Sequence, residues 1–127
     1  MVYCTYCSSK KNRSSHKLPA IKRYKSNRIK AIHRTALSQN IPLLILSGKH
    51  GLVKAETPIE YYNYLLKADD VEEDSIKVAE QLRGFGVKEL VFFSRSTDID
   101  PNINPYINCI KNATNISKVN FKLILIK

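Results

Sequence analysis

Apolar, β-prone segments alternate with helix-patterned segments along this chain, and that alternation restricts its fold more than any other feature. Residues 2–7 read as a first strand. Residues 41–46 form an unbroken apolar run between Asn40 and Ser47-Gly48, the pattern of a strand buried on both faces. Residues 88–94 and 119–126 supply a third and a fourth strand. After Pro19, residues 20–39 read as one helix with Ile21, Tyr24, Ile29, Ile32 and Ala36 on its buried face and Arg23, Lys30 and Arg34 opposite. Residues 60–66 read as the start of a helix, and a firmer helical pattern follows at Ile76, Ala79 and Leu82. The acids Asp69, Asp70, Glu72, Glu73 and Asp74 precede it, where they offset the helix dipole, and Gly84 and Gly86 mark its end. A last short helix is expected over residues 105–113. Strands alternating with helices predict parallel pairing through crossovers. The expectation is one domain over residues 1–127: a three-layer, Rossmann-like α/β fold with a mostly parallel sheet of about four strands.

In such sheets ligands bind beyond the carboxyl ends of the strands. The loops there are residues 7–17, 47–57 and 94–105. Charge collects on the first two. Residues 1–54 hold twelve Lys and Arg and no acid, whereas the remainder holds nine basic and eleven acidic residues. One part therefore carries +12 and the other −2, an asymmetry that points to a polyanionic partner. No apolar run approaches the roughly 20 residues of a membrane span, and the first residues lack the pattern of a signal peptide. Three cysteines are too few for a disulfide scaffold, so a reducing cytosol is the expected compartment. Cys4 and Cys7 form a lone CxxC with no second pair, and neither a metal nor a cofactor is expected.

The first loop runs Cys7-Ser8-Ser9-Lys10-Lys11-Asn12-Arg13-Ser14-Ser15-His16. Ammonium groups, a guanidinium and hydroxyls are phosphate ligands, which makes Lys10, Lys11, Arg13 and Ser14 candidate contacts. A thiolate at Cys7 beside these cations would be a nucleophile. The plainer reading is a solvated basic loop over a packed cysteine. Cys7 to Ser14 also satisfies C-x5-R-[ST] after a strand. That spacing resembles the phosphate cradle of cysteine-dependent phosphatases and arsenate reductases, with Asp100-Pro101 standing where the low-molecular-weight phosphatases keep a general acid. The loop lacks the glycines such cradles use. In the second loop Ser47, Lys49 and His50 follow the second strand directly, with Gly48 and Gly51 permitting tight backbone turns. Lys49 suits phosphate, and His50 suits base contact or acid catalysis. Tyr61, Tyr62, Asn63 and Tyr64 follow as a stacking surface, unless the tyrosines simply cover the sheet.

Cys-Ser-x-Lys-Lys at residues 7–11, Leu-Ser-x-Lys-His-Gly-Leu at residues 46–52 and the aromatic-amide pair Tyr62-Asn63 resemble a family of small α/β domains related to the peroxide-stress YaaA proteins. The first loop is also similar to the middle domain of archaeosine synthase, where a Cys, a Lys-Pro-Tyr, a Ser and a His follow closely. Here Cys7 and Lys11 match, Asn12-Arg13 replaces Pro-Tyr, and Ser14 or Ser15 and His16 stand at shortened spacing. The resemblance implies a uracil-DNA-glycosylase-like fold and a part in modifying a 7-deazaguanine-type base in tRNA or DNA.

Together these readings predict a protein that binds nucleic acid or a nucleotide. Lys10, Lys11, Arg13, Ser14, Ser47 and Lys49 would hold phosphates, with Arg23, Lys30 and Arg34 extending the track. Cys7, His16 and His50 are the candidate catalytic groups, and Tyr62 and Asn63 the stacking pair. The competing expectations are phosphoryl transfer at Cys7 and a non-catalytic subunit of a larger modification enzyme.

Overall fold

A computed structural model describes residues 1–126. Its principal sheet has five strands in the order β4-β3-β1-β6-β7. They are β1 (Val2–Tyr6), β3 (Leu43–Ser47), β4 (Gly51–Lys54), β6 (Glu89–Arg95) and β7 (Asn120–Ile126). All neighbours pair in parallel except β3 with β4. A two-stranded antiparallel piece joins β2 (Leu18–Pro19) to β5 (Pro58–Ile59). Four helices complete the fold: α1 (Ala20–Arg23), α2 (Asn27–Ser38), α3 (Val71–Gly84) and α4 (Asn104–Ser117).

The four expected strands are present and parallel, and β3 is buried at every residue. The fifth strand was not foreseen. Residues 47–54, read as open loop, turn back as the β3–β4 hairpin. Gly51 has φ +69° at this turn, and a Cβ there would lie 2.4 Å from Gln81 Oε1. The Gln81 amide on α3 receives Leu52 N–H and donates to the His50 carbonyl, holding the edge strand from the side.

Side chains on β1 sort the helices onto two faces. Thr5 accepts from Arg28 of α2, and Tyr6, at the strand's end where Arg28 also reaches it, packs its ring 6.0 Å from Tyr106 of α4. Helices α3 and α4 pack together on the latter side. Between these layers lies one hydrophobic core that runs from Cys4 to Val119.

Two helical expectations need correction. Residues 20–39 are not one helix: α1 stops at Arg23, and Tyr24 adopts extended backbone (φ −85°, ψ 122°) and bridges to Lys11. Helix α2 then restarts behind Ser26, whose Oγ accepts from Ile29 N–H. Residues 60–66 form no helix but an irregular strap between β5 and α3. Asn40 ends α2 as expected, at φ 56°, with Ile41 N–H bonded to the Ala36 carbonyl and Asn40 N–H to Leu37. Among the described residues no helix is long and apolar enough to cross a membrane.

Candidate functional site

Strands β3 and β6 flank β1, and the chain leaves β1 and β6 toward opposite edges of the sheet. A crevice is expected where connections diverge in this way, and a cleft of about 810 Å³ opens there. Cys7, Lys10 and Lys11 enter it from the loop after β1, and Lys25 and Arg28 from the start of α2. Arg95 enters from the end of β6, and Asp100 is the one acid in the lining.

The basic loop is held by a residue assigned in sequence to the solvent track. Arg23 is 0% exposed. Its guanidinium donates to the carbonyls of Asn12, Ser14, His16 and Ile59 at 2.5 to 3.1 Å. No carboxylate pairs with it among the described residues; carbonyl dipoles stabilise the buried charge instead. Two backbone bonds, Asn12 N–H to the Arg23 carbonyl and Lys25 N–H to the Lys10 carbonyl, lash the same loop to the chain beyond α1. Arg23 is therefore an internal clamp and not a phosphate contact. The geometry also departs from a phosphatase cradle, because the loop turns carbonyls inward where such a cradle turns N–H groups. Arg13 stays exposed and outside the cleft lining.

Cys7 lies at the cleft, largely buried, and its thiol donates to Tyr106 Oη at 3.5 Å. Tyr106 Oη also receives Leu66 N–H at 3.1 Å. Burial lowers the Lys11 pKa, against the opposing pull of Cys7. The Lys11 ammonium sits 4.6 Å from the centre of the Tyr62 ring. Arg28 stacks its guanidinium 3.7 Å from the Tyr6 ring centre and donates to Thr5 Oγ1 and the Cys7 carbonyl. Burial lowers its pKa as well.

The second motif stands behind this cleft rather than in it. Ser47 Oγ receives the N–H groups of Lys49 and His50 and donates to Tyr62 Oη at 2.9 Å. Tyr62 Oη meets Tyr24 Oη at 2.6 Å. Tyr62 is only 5% exposed, so it is a buried strut and not the stacking surface expected of it. The His50 ring stands edge-on to Tyr62 with centres 5.4 Å apart. His50 Nε2 lies 3.2 Å from Glu60 Oε1 but is misaligned for a hydrogen bond. Burial lowers the His50 pKa, outweighing the opposing pull of Glu60. Lys49 pairs with Glu60 at 3.0 Å, and that bond lowers the Glu60 pKa. Glu60 is thus a carboxylate from the acidic part of the chain brought to the basic part, and no spacing rule announced it.

Of the residues singled out in sequence, Cys7, Lys10, Lys11, Asn63, Tyr64 and Asp100 line the cleft. Ser47, His50 and Tyr62 form the network behind it, linked to it through Lys11. His16 is exposed and Ser14 half-buried, and neither lines the cleft; Lys30 and Arg34 remain exposed on α2. Sequence reasoning missed Lys25, Arg28 and Arg95. Lys25 and Arg28 carried a usable signal, since Ser26 is a helix N-cap residue and cations beside it face the start of a helix.

Fold and cleft define a mixed α/β protein with a cationic crevice at the carboxyl edge of its sheet. The chain belongs to DUF6884, a family of unknown function, whose model matches residues 2–101 and so includes every cation of the cleft. No curated protein and no solved structure matches the chain.

Proposed function

We propose that this protein binds a nucleic acid or nucleotide through its phosphates in the cleft over β1. The observation that carries this reading is the convergence of Lys10, Lys11, Lys25, Arg28 and Arg95 on one concavity that contains a single acid, Asp100. The cations come from three separate segments, so their meeting is a product of the fold. Lys10, Lys25 and Arg95 are exposed and free of salt bridges among the described residues, which suits them to phosphate. Lys30 and Arg34 continue the positive surface along α2.

The resemblance of residues 7–16 and 46–52 to the YaaA-related domains and to the archaeosine synthase middle domain supports a finer version of this reading. In it the fold is of the uracil-DNA-glycosylase type and the bound nucleic acid carries a base undergoing modification. Phosphoryl transfer at Cys7 has less support, since that thiol donates to Tyr106 and Arg13 stands apart.

Fluorescence anisotropy with a labelled single-stranded RNA over a salt series tests the proposal. Each phosphate neutralised contributes a slope of about −0.7 in log K against log salt, so contact with about four phosphates predicts a slope near −3. The double substitution Lys10→Glu with Lys25→Glu is expected to weaken binding by about tenfold or more in about 0.1 M salt. Absence of binding at low ionic strength overturns the reading.

A further inference from the structure

The cleft has a second chemical character besides its charge. Tyr64 and Leu65 on the strap are 40% and 46% exposed, and Ile99 in the loop after β6 is 63% exposed. All three line the cleft. Exposed apolar side chains gathered at a concave charged site mark a binding surface.

Their placement follows from the sheet order. The strap crosses the end of β3: a Cβ on Gly48 would come within 2.6 Å of the Tyr64 carbonyl and 3.1 Å of Leu66 N. Ile99 follows β6. Since β3 and β6 stand on either side of β1, the two apolar groups stand on either side of the cleft over β1. The strap is pinned at both ends. Tyr62 bonds to Ser47 and Tyr24, and Leu66 N–H bonds to Tyr106 Oη. Tyr64 is steadied further, its hydroxyl donating to Asp70 Oδ2 at 2.7 Å. A tyrosine held at its hydroxyl presents a ring face at little entropic cost.

We infer that the cleft takes an unpaired nucleotide of a single strand, with its base between the Tyr64–Leu65 strap and Ile99 and its flanking phosphates on Lys10, Lys25 and Arg95. This rests on the phosphate-binding reading above and narrows it. A base is the flat apolar group that arrives next to phosphates, and the site offers apolar walls next to cations. In a duplex the base faces are stacked and unavailable to such walls. The concavity favours this ligand over an anionic membrane, which needs a flat or protruding surface.

The experiment compares a short labelled poly(A) RNA with the same strand annealed to its complement, at several salt concentrations. Preference for the single strand is expected. Tyr64→Ala should lower single-strand affinity by about tenfold, the size of one lost aromatic stacking contact, Ile99→Ala should lower it by about threefold or more through lost apolar contact, and both should leave the salt slope unchanged. Tyr64→Phe, which keeps the ring, should retain the preference. Equal salt-dependent binding of both forms, insensitive to these substitutions, overturns this inference and leaves phosphate binding standing. Absence of salt-dependent binding to both forms instead overturns the underlying reading. Stronger binding to anionic lipid vesicles, abolished by the same substitutions, reassigns the patch to a membrane and overturns both.

Discussion

Arg23 shows how one side chain can change role between sequence and structure. In the helical pattern of residues 20–39 it falls on the polar face. In the fold α1 ends at that point, and its side chain enters the centre of the basic loop to bind four carbonyls. Removing it would leave the buried Ile59 carbonyl and three part-buried loop carbonyls without their donor, each at a cost of about 1 kcal/mol. Arg23→Ala is therefore expected to destabilise the protein by about 3 kcal/mol or more, read from urea unfolding. Arg23→Lys should recover only part of this, because an ammonium lacks the planar fork that reaches several acceptors. A change below about 0.5 kcal/mol in Arg23→Ala would mean that water satisfies the loop, and the clamp would be discounted.

Helix α2 joins the scaffold to the cleft. Its first turn carries no acid, and Lys25 and Arg28 sit at its start, where the dipole is positive. Helix α3 shows the ordinary arrangement, with Glu72, Glu73 and Asp74 in its first turn. The start of α2 is thus electrostatically disfavoured in the free protein, and an anion in the cleft would relieve it. Asn27→Asp places an acid at the first helical position, on the cleft wall. It should raise stability by about 0.5 kcal/mol in thermal unfolding and weaken RNA binding in the same variant. Both measurements moving in one direction would contradict this account.

Across the molecule the charge asymmetry of the sequence becomes a division of one sheet edge. Helix α3 crosses back toward the start of β6, so its acidic N-terminus lies at the same edge as the basic cleft, and Tyr64–Asp70 joins the two. The pH dependence of global stability follows from the network behind the cleft. Burial disfavours protonated His50, with Lys49 and Lys77 adding repulsion and Glu60 opposing. The unfolded chain therefore binds this proton more readily than the folded chain. The contribution of His50 to stability is complete above the ordinary imidazole pKa of about 6.5 and declines as pH falls below it. Urea midpoints should drop as pH falls through the ordinary imidazole range near about 6.5, and His50→Gln should flatten that interval. Glu60 and Asp70, whose pKa values are lowered by their hydrogen bonds, act below it, near the ordinary carboxylate range. A profile unchanged by His50→Gln would contradict the assignment.

Strand β3 was legible because burial on both faces demands a continuous apolar run, and residues 43–47 meet that demand at every position. The end of α2 at Asn40 was legible for an equally local reason, a left-handed residue closing a helix. The cationic loop after β1 was legible from charge and chain order alone. Local pattern could not show that Tyr24 would leave the helix to bridge Lys11, nor that Tyr62 would be buried while Tyr64 stayed exposed. Those outcomes depend on groups well separated in sequence: Ser47 and Tyr24 against Tyr62, and Ile59 against Arg23. Elements obey forces between near neighbours and so can be read from neighbouring residues. The cleft exists only where long-range contacts decide which polar groups are satisfied inside and which are left facing solvent.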